Sequence, residues 1–584
     1  MPVRVFNFAL ALPLVACALR AQEPAQRTYC NPLDIDYKYD AEEMAKGISY
    51  RSGADPVIVK GNGEYYLFVT NSGGYWHSPD LLHWRFVTPS EWPEEDMCAP
   101  AALFVRDTLY LFQSTFDRKP LYFSTEPSRG ILRRFNQLLP QMPGALGPWD
   151  PDIFHDEASD RWFMYFGSSN TYPIYGIELD HARGLDYIGQ AKGLLYIRPE
   201  EHGWERFGRD HRDTIRPYIE GSWMTEHNGT YYLQYAAPGT EYNVYANGTY
   251  VGRNPMGPFT YAPNNPVSYK PGGFMTGAGH GNTFEDNFGN YWNTGTPWVA
   301  VNGIFERRIS MFPAGFDSDG VMFSNTRFGD FPHYLPTRKT QTREELFTGW
   351  MLLSYRKPCV ASSAEEDYPP SNLTDESPRT FWVAKSNAPG EYATVDLKHP
   401  CTVRAVQVNY TDYKAGVFTR DSTIYSEFRL LCSPDNKNWK LLADLSQEKR
   451  DRPNAYLELY EPVSTRYVRF EHIHVSAAHL ALCDLRIFGN ANGKLPETPA
   501  HLSARRASDV RNAVLTWDAV PGAVGYNLLW GIAPGKLYET YQVFADSGTR
   551  LEIRALSAGV DYFFALEAFN ECGVSPQSSV VHCQ

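Results

Sequence analysis

Five short stretches decide the fold of this 584-residue chain: Gly63-Glu-Tyr-Tyr-Leu-Phe68, Asp107-Thr-Leu-Tyr-Leu-Phe112, Asp160-Arg-Trp-Phe-Met-Tyr165, Gly229-Thr-Tyr-Tyr-Leu-Gln234 and Gly289-Asn-Tyr-Trp-Asn-Thr294. Each opens on a turn residue and runs into aromatics and β-formers, so each reads as a hairpin turn entering a strand. They lie 44, 53, 69 and 60 residues apart. Repeats of roughly 40–50 residues holding several strands read as propeller blades. Five copies predict five blades.

A preceding strand begins ten to twelve residues before each central aromatic pair. The heads of those strands are Ala54-Asp55-Pro56, Cys98-Ala99-Pro100, Trp149-Asp150-Pro151, Ile219-Glu220-Gly221 and Gly279-His280-Gly281. In a propeller the innermost strands surround one axis, so these heads converge on one funnel mouth. Four of the five carry Asp55, Asp150, Glu220 and His280. Clustered carboxylates repel, which tends to keep one protonated. An ionised carboxylate beside a protonated one is what glycoside hydrolysis needs. An Asp-Pro pair alone is equally a turn device; acids at three matched blade positions favour catalysis. Trp76, His77, Trp149 and Trp223 flank the heads and suit either sugar stacking or blade packing.

Composition narrows the alternatives. The formal charge is −13 and aromatics make up 15% of the chain. An acidic chain argues against nucleic acid as a partner. No Gly-x-Ser-x-Gly elbow, Lys-bearing phosphate loop or His-Glu-x-x-His motif is present. Residues 1–21 read as a secretory signal, with Arg4, an apolar run and cleavage near Ala21. The run falls short of the ~20 residues of a membrane span. Leu14-Val-Ala-Cys17 offers a lipid anchor at Cys17 as the alternative. Either way the protein is expected to be exported: periplasmic, on the cell surface or secreted. The nine cysteines lack zinc spacing; buried thiols and disulfides, Cys572–Cys583 among them, both stay open.

Residues 28–345 resemble glycoside hydrolase family 43, a five-bladed β-propeller family. The motifs are Ala54-Asp-Pro-Val-Ile-Val59, Ser78-Pro-Asp-Leu-Leu-His-Trp84, Cys98-Ala-Pro100, Trp149-Asp-Pro-Asp-Ile-Phe-His-Asp156, Ile219-Glu-Gly221, Gly277-Ala-Gly-His-Gly281 and Phe316-Asp-Ser-Asp-Gly320. The resemblance implies inversion, with Asp55 as general base, Glu220 as general acid, and Asp150 raising the acid's pKa and orienting it. Asp152 is the second choice for Asp150's role. It further implies a substrate-facing Arg307, with Arg308 as the alternative. It places His280 beside an axial calcium or sodium ion, a structural ion that the chemistry does not require. Glu220-Gly-Ser222 and Cys98-Ala-Pro100 depart from the family's usual Glu-Gly-Pro and Trp-Ala-Pro, which leaves the sugar open. Relatives act on α-L-arabinofuranosides, β-xylosides, arabinan or β-linked galactose. The leading expectation is an exo-acting α-L-arabinofuranosidase working on the side chains of a plant-type polysaccharide; a sugar-binding propeller lectin is the non-enzyme alternative.

Two further units follow. Residues 346–490, with Thr380-Phe-Trp382, Ser433-Pro-Asp-Asn-Lys-Asn-Trp439 and Arg466-Tyr-Val-Arg-Phe470, resemble a discoidin-like, coagulation-factor C-type sandwich, read as glycan-targeting or as a buttress. Residues 497–584, with Val514-Leu-Thr-Trp517 and Leu556-Ser-Ala-Gly-Val-Asp-Tyr562, resemble a fibronectin type III sandwich and read as a spacer. The expected fold class is all-β: one propeller and two sandwiches.

Overall fold

The computed structural model describes residues 27–92, 98–115, 120–342 and 344–583; residues 1–21 and Cys17 lie outside them. No helix among the described residues is long and apolar enough to cross a membrane. Five four-stranded antiparallel sheets succeed one another along the chain, over residues 57–87, 101–138, 152–195, 220–261 and 283–324. Each is one propeller blade. Thr28–Tyr29 pairs with His333–Tyr334 and joins the two ends of the propeller.

Blade strands are buried on both faces because each sheet packs between two neighbours. In blade one, Val57–Gly61 and Glu64–Phe68 are almost wholly buried. Gly61 is required there: a Cβ would lie 2.4 Å from the Phe104 ring of blade two. The motif Ser78-Pro-Asp-Leu-Leu-His-Trp84 closes blade one through Asp80, whose carboxylate accepts the Leu82 and His83 N–H groups at 3.0 and 2.9 Å. The same turn recurs at Ser433-Pro-Asp435, where Asp435 accepts from Lys437 and Asn438 at 2.9 and 2.8 Å. Identical local chemistry makes the same corner in two different folds.

The second unit is built on the long bent strands Tyr392–Tyr410 and Asn454–Val475. It is fastened to the propeller by buried ions. Arg51 donates to Asp451 at 2.8 and 3.0 Å and to Asp412, with 3% of its surface exposed. Arg486 is fully buried and donates to Glu376 Oε1 at 2.9 Å and to the Asp330 carbonyl at 2.6 Å.

The third unit packs a three-stranded sheet against a five-stranded one. The Tyr562 hydroxyl accepts the Ser557 N–H at 3.1 Å, closing a tyrosine corner. This unit is not a spacer. Its Trp517, Trp530 and Tyr562 share one apolar core with Trp204, Leu233 and Tyr235 of the propeller. Arg327 grips Glu567 through two bonds of 2.6 and 2.8 Å. All eight described cysteines are free thiols, Cys572 and Cys583 included.

Candidate active site

In every blade the innermost strand starts at one end of the propeller and the second strand returns to it. One residue at each head adopts a left-handed conformation: Asp55 (φ 53°), Ala99 (φ 41°), Asp150 (φ 47°), Gly221 (φ 58°) and His280 (φ 46°). Non-glycine residues rarely sit there, and such strain collects at functional sites. The bend is held by a hydroxyl at the end of the preceding blade's second strand. Thr296 Oγ1 accepts the Asp55 N–H at 2.9 Å, Thr70 Oγ1 that of Ala99 at 2.8 Å, and Ser114 Oγ that of Asp150 at 2.8 Å.

This register corrects the matching of the heads. The left-handed residue of blade four is Gly221, so Glu220 stands one position earlier, level with Ala54, Cys98, Trp149 and Gly279. The hydrogen bonding shows it: Ala54, Cys98, Trp149 and Gly279 each accept an N–H from the end of the second strand, and Glu220 pairs with Ala236 in the same place. Gly221 is glycine for a reason besides φ, since a Cβ would lie 2.8 Å from the His280 ring. The structure still brings Asp55, Asp150, Glu220, His280 and Arg307 together.

The Asp55 carboxylate is buried and accepts the Thr70 hydroxyl at 2.6 Å; His280 Nδ1 lies 3.1 Å and Arg307 Nη1 3.6 Å from its Oδ1. Burial alone would raise its pKa, but His280, Arg307 and Thr70 together hold it below the usual carboxylate range. Asp55 is therefore ionised at neutral pH. Glu220 accepts the Tyr245 hydroxyl at 2.5 Å and the Ser168 hydroxyl at 3.0 Å. Asp150 is pushed up to about 7, chiefly by burial, with Glu220 and Asp55 adding to it and His280, 3.8 Å away, opposing. Asp150 is thus itself a carboxyl that titrates near neutrality, rather than a permanently ionised one.

His280 is drawn upward: burial lowers its pKa, but Asp55, Asp150 and Glu220 outweigh that. Its Nδ1 faces carboxylates. Calcium takes six to eight oxygen ligands. The carboxylate oxygens that face His280 are Asp55 Oδ1 and Asp150 Oδ2, so an ion beside His280 would take most of its ligands from water, and no step is routed through it. Among the described residues, only His399, Cys401 and Glu571, where the second and third units meet, bring three His, Cys, Asp or Glu donor atoms all within 4.8 Å of one another.

Several expected site residues belong elsewhere. Trp76 is fully buried in the blade-one core, and its indole N–H donates to Asp36 at 2.5 Å. His77 bonds Glu64 at 2.9 Å and lies against Tyr66 within the same blade. Trp223 donates to the Thr283 carbonyl at 3.0 Å and ties blade four to blade five. All three are packing residues. Asp152 is buried and accepts the Met224 N–H at 2.7 Å, away from the cluster. Arg308 is locked to the Arg51 carbonyl at 2.8 Å and to Asn454 at 3.2 Å. Trp149 keeps its place on the rim, level with Glu220. Reasoning from sequence missed Tyr245 and the hydroxyls. The hydroxyls had a signal, since Thr70, Ser114 and Ser168 each stand two residues after the phenylalanine that ends a second strand. Tyr245 had none.

A first prediction concerns Asp150→Asn. The unfolded chain loses this proton near pH 4, whereas the folded protein holds it to about pH 7. The group's contribution to stability therefore falls across that window and stays low above it. Asparagine tolerates the left-handed backbone. The variant should be more stable than the wild type at pH 8 by about 1–2 kcal/mol and unchanged at pH 4. Its activity should fall, and the basic limb of its pH–rate profile should move to lower pH, because Glu220 loses a neighbouring negative charge. Melting curves at the two pH values, with the pH profile alongside, check it; a destabilised variant with an unmoved limb refutes it.

Residues 45–295 match the family model Glycosyl hydrolases family 43, and residues 359–483 match the F5/8 type C domain. A Beta-D-galactofuranosidase, xynD, of Aspergillus niger is 25% identical over 269 residues, covering 41% of this chain and 72% of its own length. A solved glycoside hydrolase is 18% identical, covers 74% of this chain and 97% of its own, and has a TM-score of 0.45. A glycoside hydrolase family 43 arabinoxylan arabinofuranohydrolase from Bacillus subtilis is 15% identical, with 77% and 98% covered and a TM-score of 0.39. The chain therefore carries a family 43 glycosyl hydrolase domain followed by an F5/8 type C domain, and it is a glycosidase.

Proposed function

We propose that the protein is an exported, inverting exo-glycosidase that removes terminal furanosides from polysaccharide side chains, with α-L-arabinofuranoside as its first substrate. The observation that carries this is the separation of roles in the funnel: Asp55 is held ionised by His280 and Arg307, while Glu220 sits on a different blade with its own donors, Tyr245 and Ser168. In this reading Asp55 takes a proton from water and Glu220 protonates the leaving oxygen. Asp150 and His280 set the charge between them, and Arg307 faces the sugar.

The named relative acts on β-D-galactofuranosides. β-D-galactofuranose and α-L-arabinofuranose share the ring stereochemistry and differ by one carbon in the exocyclic arm. A wall that accepts one ring accepts the other unless the arm meets an obstruction. β-Xylosides and β-galactosides are the alternatives with six-membered rings. The F5/8 type C unit is proposed to bind glycan as well as to brace the propeller, and the third unit to be a fibronectin type III domain. Initial rates on nitrophenyl arabinofuranoside, galactofuranoside, xyloside and galactoside test the substrate; a clear preference for either pyranoside rejects the furanoside reading.

Inversion is the second prediction. The Asp55 and Glu220 carboxyls should stand roughly 6.5–9.5 Å apart in the substrate complex, leaving room for water. Proton NMR of the first-formed sugar should show the opposite anomer. A retained anomer requires a carboxylate nucleophile and overturns the assignment.

A further inference from the structure

Two arginines lie over one tryptophan on the rim of this funnel. Trp298 stands in the loop between Tyr291–Gly295 and Ser310–Phe316, and it bridges to Arg307 by backbone pairing. Opposed residues of such a bridge project to the same side, so Trp298 accompanies the arginine that faces Asp55. Tyr242 lies beside it, with ring centroids 6.3 Å apart. The loops carrying Arg209, Tyr242 and Trp298 all emerge at the catalytic end, because each joins strands that start or finish there.

The guanidinium carbon of Arg209 sits 5.6 Å from the Trp298 ring centroid and that of Arg379 sits 4.5 Å from it. Arg209 comes from the loop before Glu220, whereas Arg379 comes from the F5/8 type C unit. Both are exposed, and among the described residues neither makes an ion pair with a carboxylate. In a chain of net charge −13 the packing could readily have matched each to an acid, as it does for Arg51, Arg327 and Arg486. Burial and the Arg209 charge pull Arg379 below the usual guanidinium range. Two like charges held together and left unmatched carry a cost that a bound anion removes. Guanidinium forks suit carboxylates bidentately, and the buried Trp298 ring is the platform on which both forks rest.

We propose that Arg209 and Arg379, seated on Trp298, form a binding site for a carboxylate-bearing sugar beyond the cleaved bond, so that the substrate is a side chain carried on a uronate-containing backbone. The site deepens the glycosidase reading and rests on it for its place next to the scissile bond. It also gives the F5/8 type C unit a part in the substrate channel. The neutral sugar to be removed enters past Arg307, while the acidic backbone lies across the rim.

The probe is a galacturonate oligomer, titrated into the wild-type full chain by calorimetry beside the same oligomer with its carboxyls reduced to alcohols. The galacturonate oligomer should bind at least about tenfold more tightly, with an advantage that shrinks as salt rises. Arg209→Gln and Arg379→Gln should each remove about tenfold of that affinity and leave hydrolysis of nitrophenyl glycosides unchanged. Arg209 is exposed and, among the described residues, makes no ion pair, so the melting temperature of Arg209→Gln should match the wild type, which separates lost binding from lost folding. Equal binding of the reduced oligomer, or wild-type binding by both variants, overturns the site. Tighter binding of a sulfated neutral oligomer overturns the carboxylate assignment. A wild-type chain that hydrolyses no nitrophenyl glycoside sinks the proposed function instead, and the binding titration still decides this inference.

Discussion

Asp55→Asn should lower kcat by about a thousandfold while leaving oligosaccharide affinity nearly unchanged. The water that attacks the anomeric carbon has to lose a proton as the bond forms, and an amide cannot take it. The substitution is otherwise mild. Asparagine accepts the Thr70 hydroxyl through its carbonyl oxygen as the carboxylate does, now at 2.6 Å, and it adopts the φ of 53° without new strain. His280 loses its nearest counter-charge, so its titration should drop towards that of an ordinary histidine. NMR of the imidazole follows that shift independently of turnover. Rates near wild type would remove Asp55 from the mechanism.

Glu220→Ala should separate two kinds of substrate. On natural oligosaccharides the departing alkoxide is a poor leaving group, and losing the acid should cost roughly a thousandfold. On a dinitrophenyl glycoside the phenolate leaves unaided, and the loss should stay within about tenfold. Tyr245→Phe removes the hydroxyl that donates to Glu220 at 2.5 Å; it should slow natural substrates by an intermediate amount and spare the activated one. Equal losses on both substrates for Glu220→Ala would mean that Glu220 shapes the pocket rather than donating a proton.

The two variants probe sides of the site that were unequally visible in sequence. Asp55, Asp150, Glu220 and His280 were legible because each sits at a fixed offset from an aromatic strand, and a propeller turns equal offsets into neighbours. The offset was right to within one residue. Glu220 came out level with Trp149 and Cys98 rather than with Asp55, because Gly221 takes the left-handed position in blade four that Asp55 takes in blade one. Which of two neighbouring residues takes the left-handed bend changes no composition, so the pattern of residue types does not betray it. Trp76 and Trp223 show the opposite limit. A tryptophan beside a catalytic head looks the same in sequence whether its ring meets the ligand or the next blade; alternation along the strand and the neighbour's shape decide, and both of these rings face packing.

The sequence by itself determined the five-bladed repeat, the order of the units and the residue types at the funnel, since these follow from local turn and strand chemistry repeated along the chain. Only the tertiary structure decided which charges face one another. Burial together with Glu220 and Asp55 moves Asp150 up to about 7, and His280 with Arg307 moves Asp55 the other way. Two aspartates in the same Asp-Pro context thus acquire opposite protonation. Arg379, in a different unit and 81 residues from Trp298, reaches the same rim. Such couplings depend on distances of a few ångströms between segments remote in the chain, and on the low dielectric created by burying them, and neither quantity exists until the chain has folded.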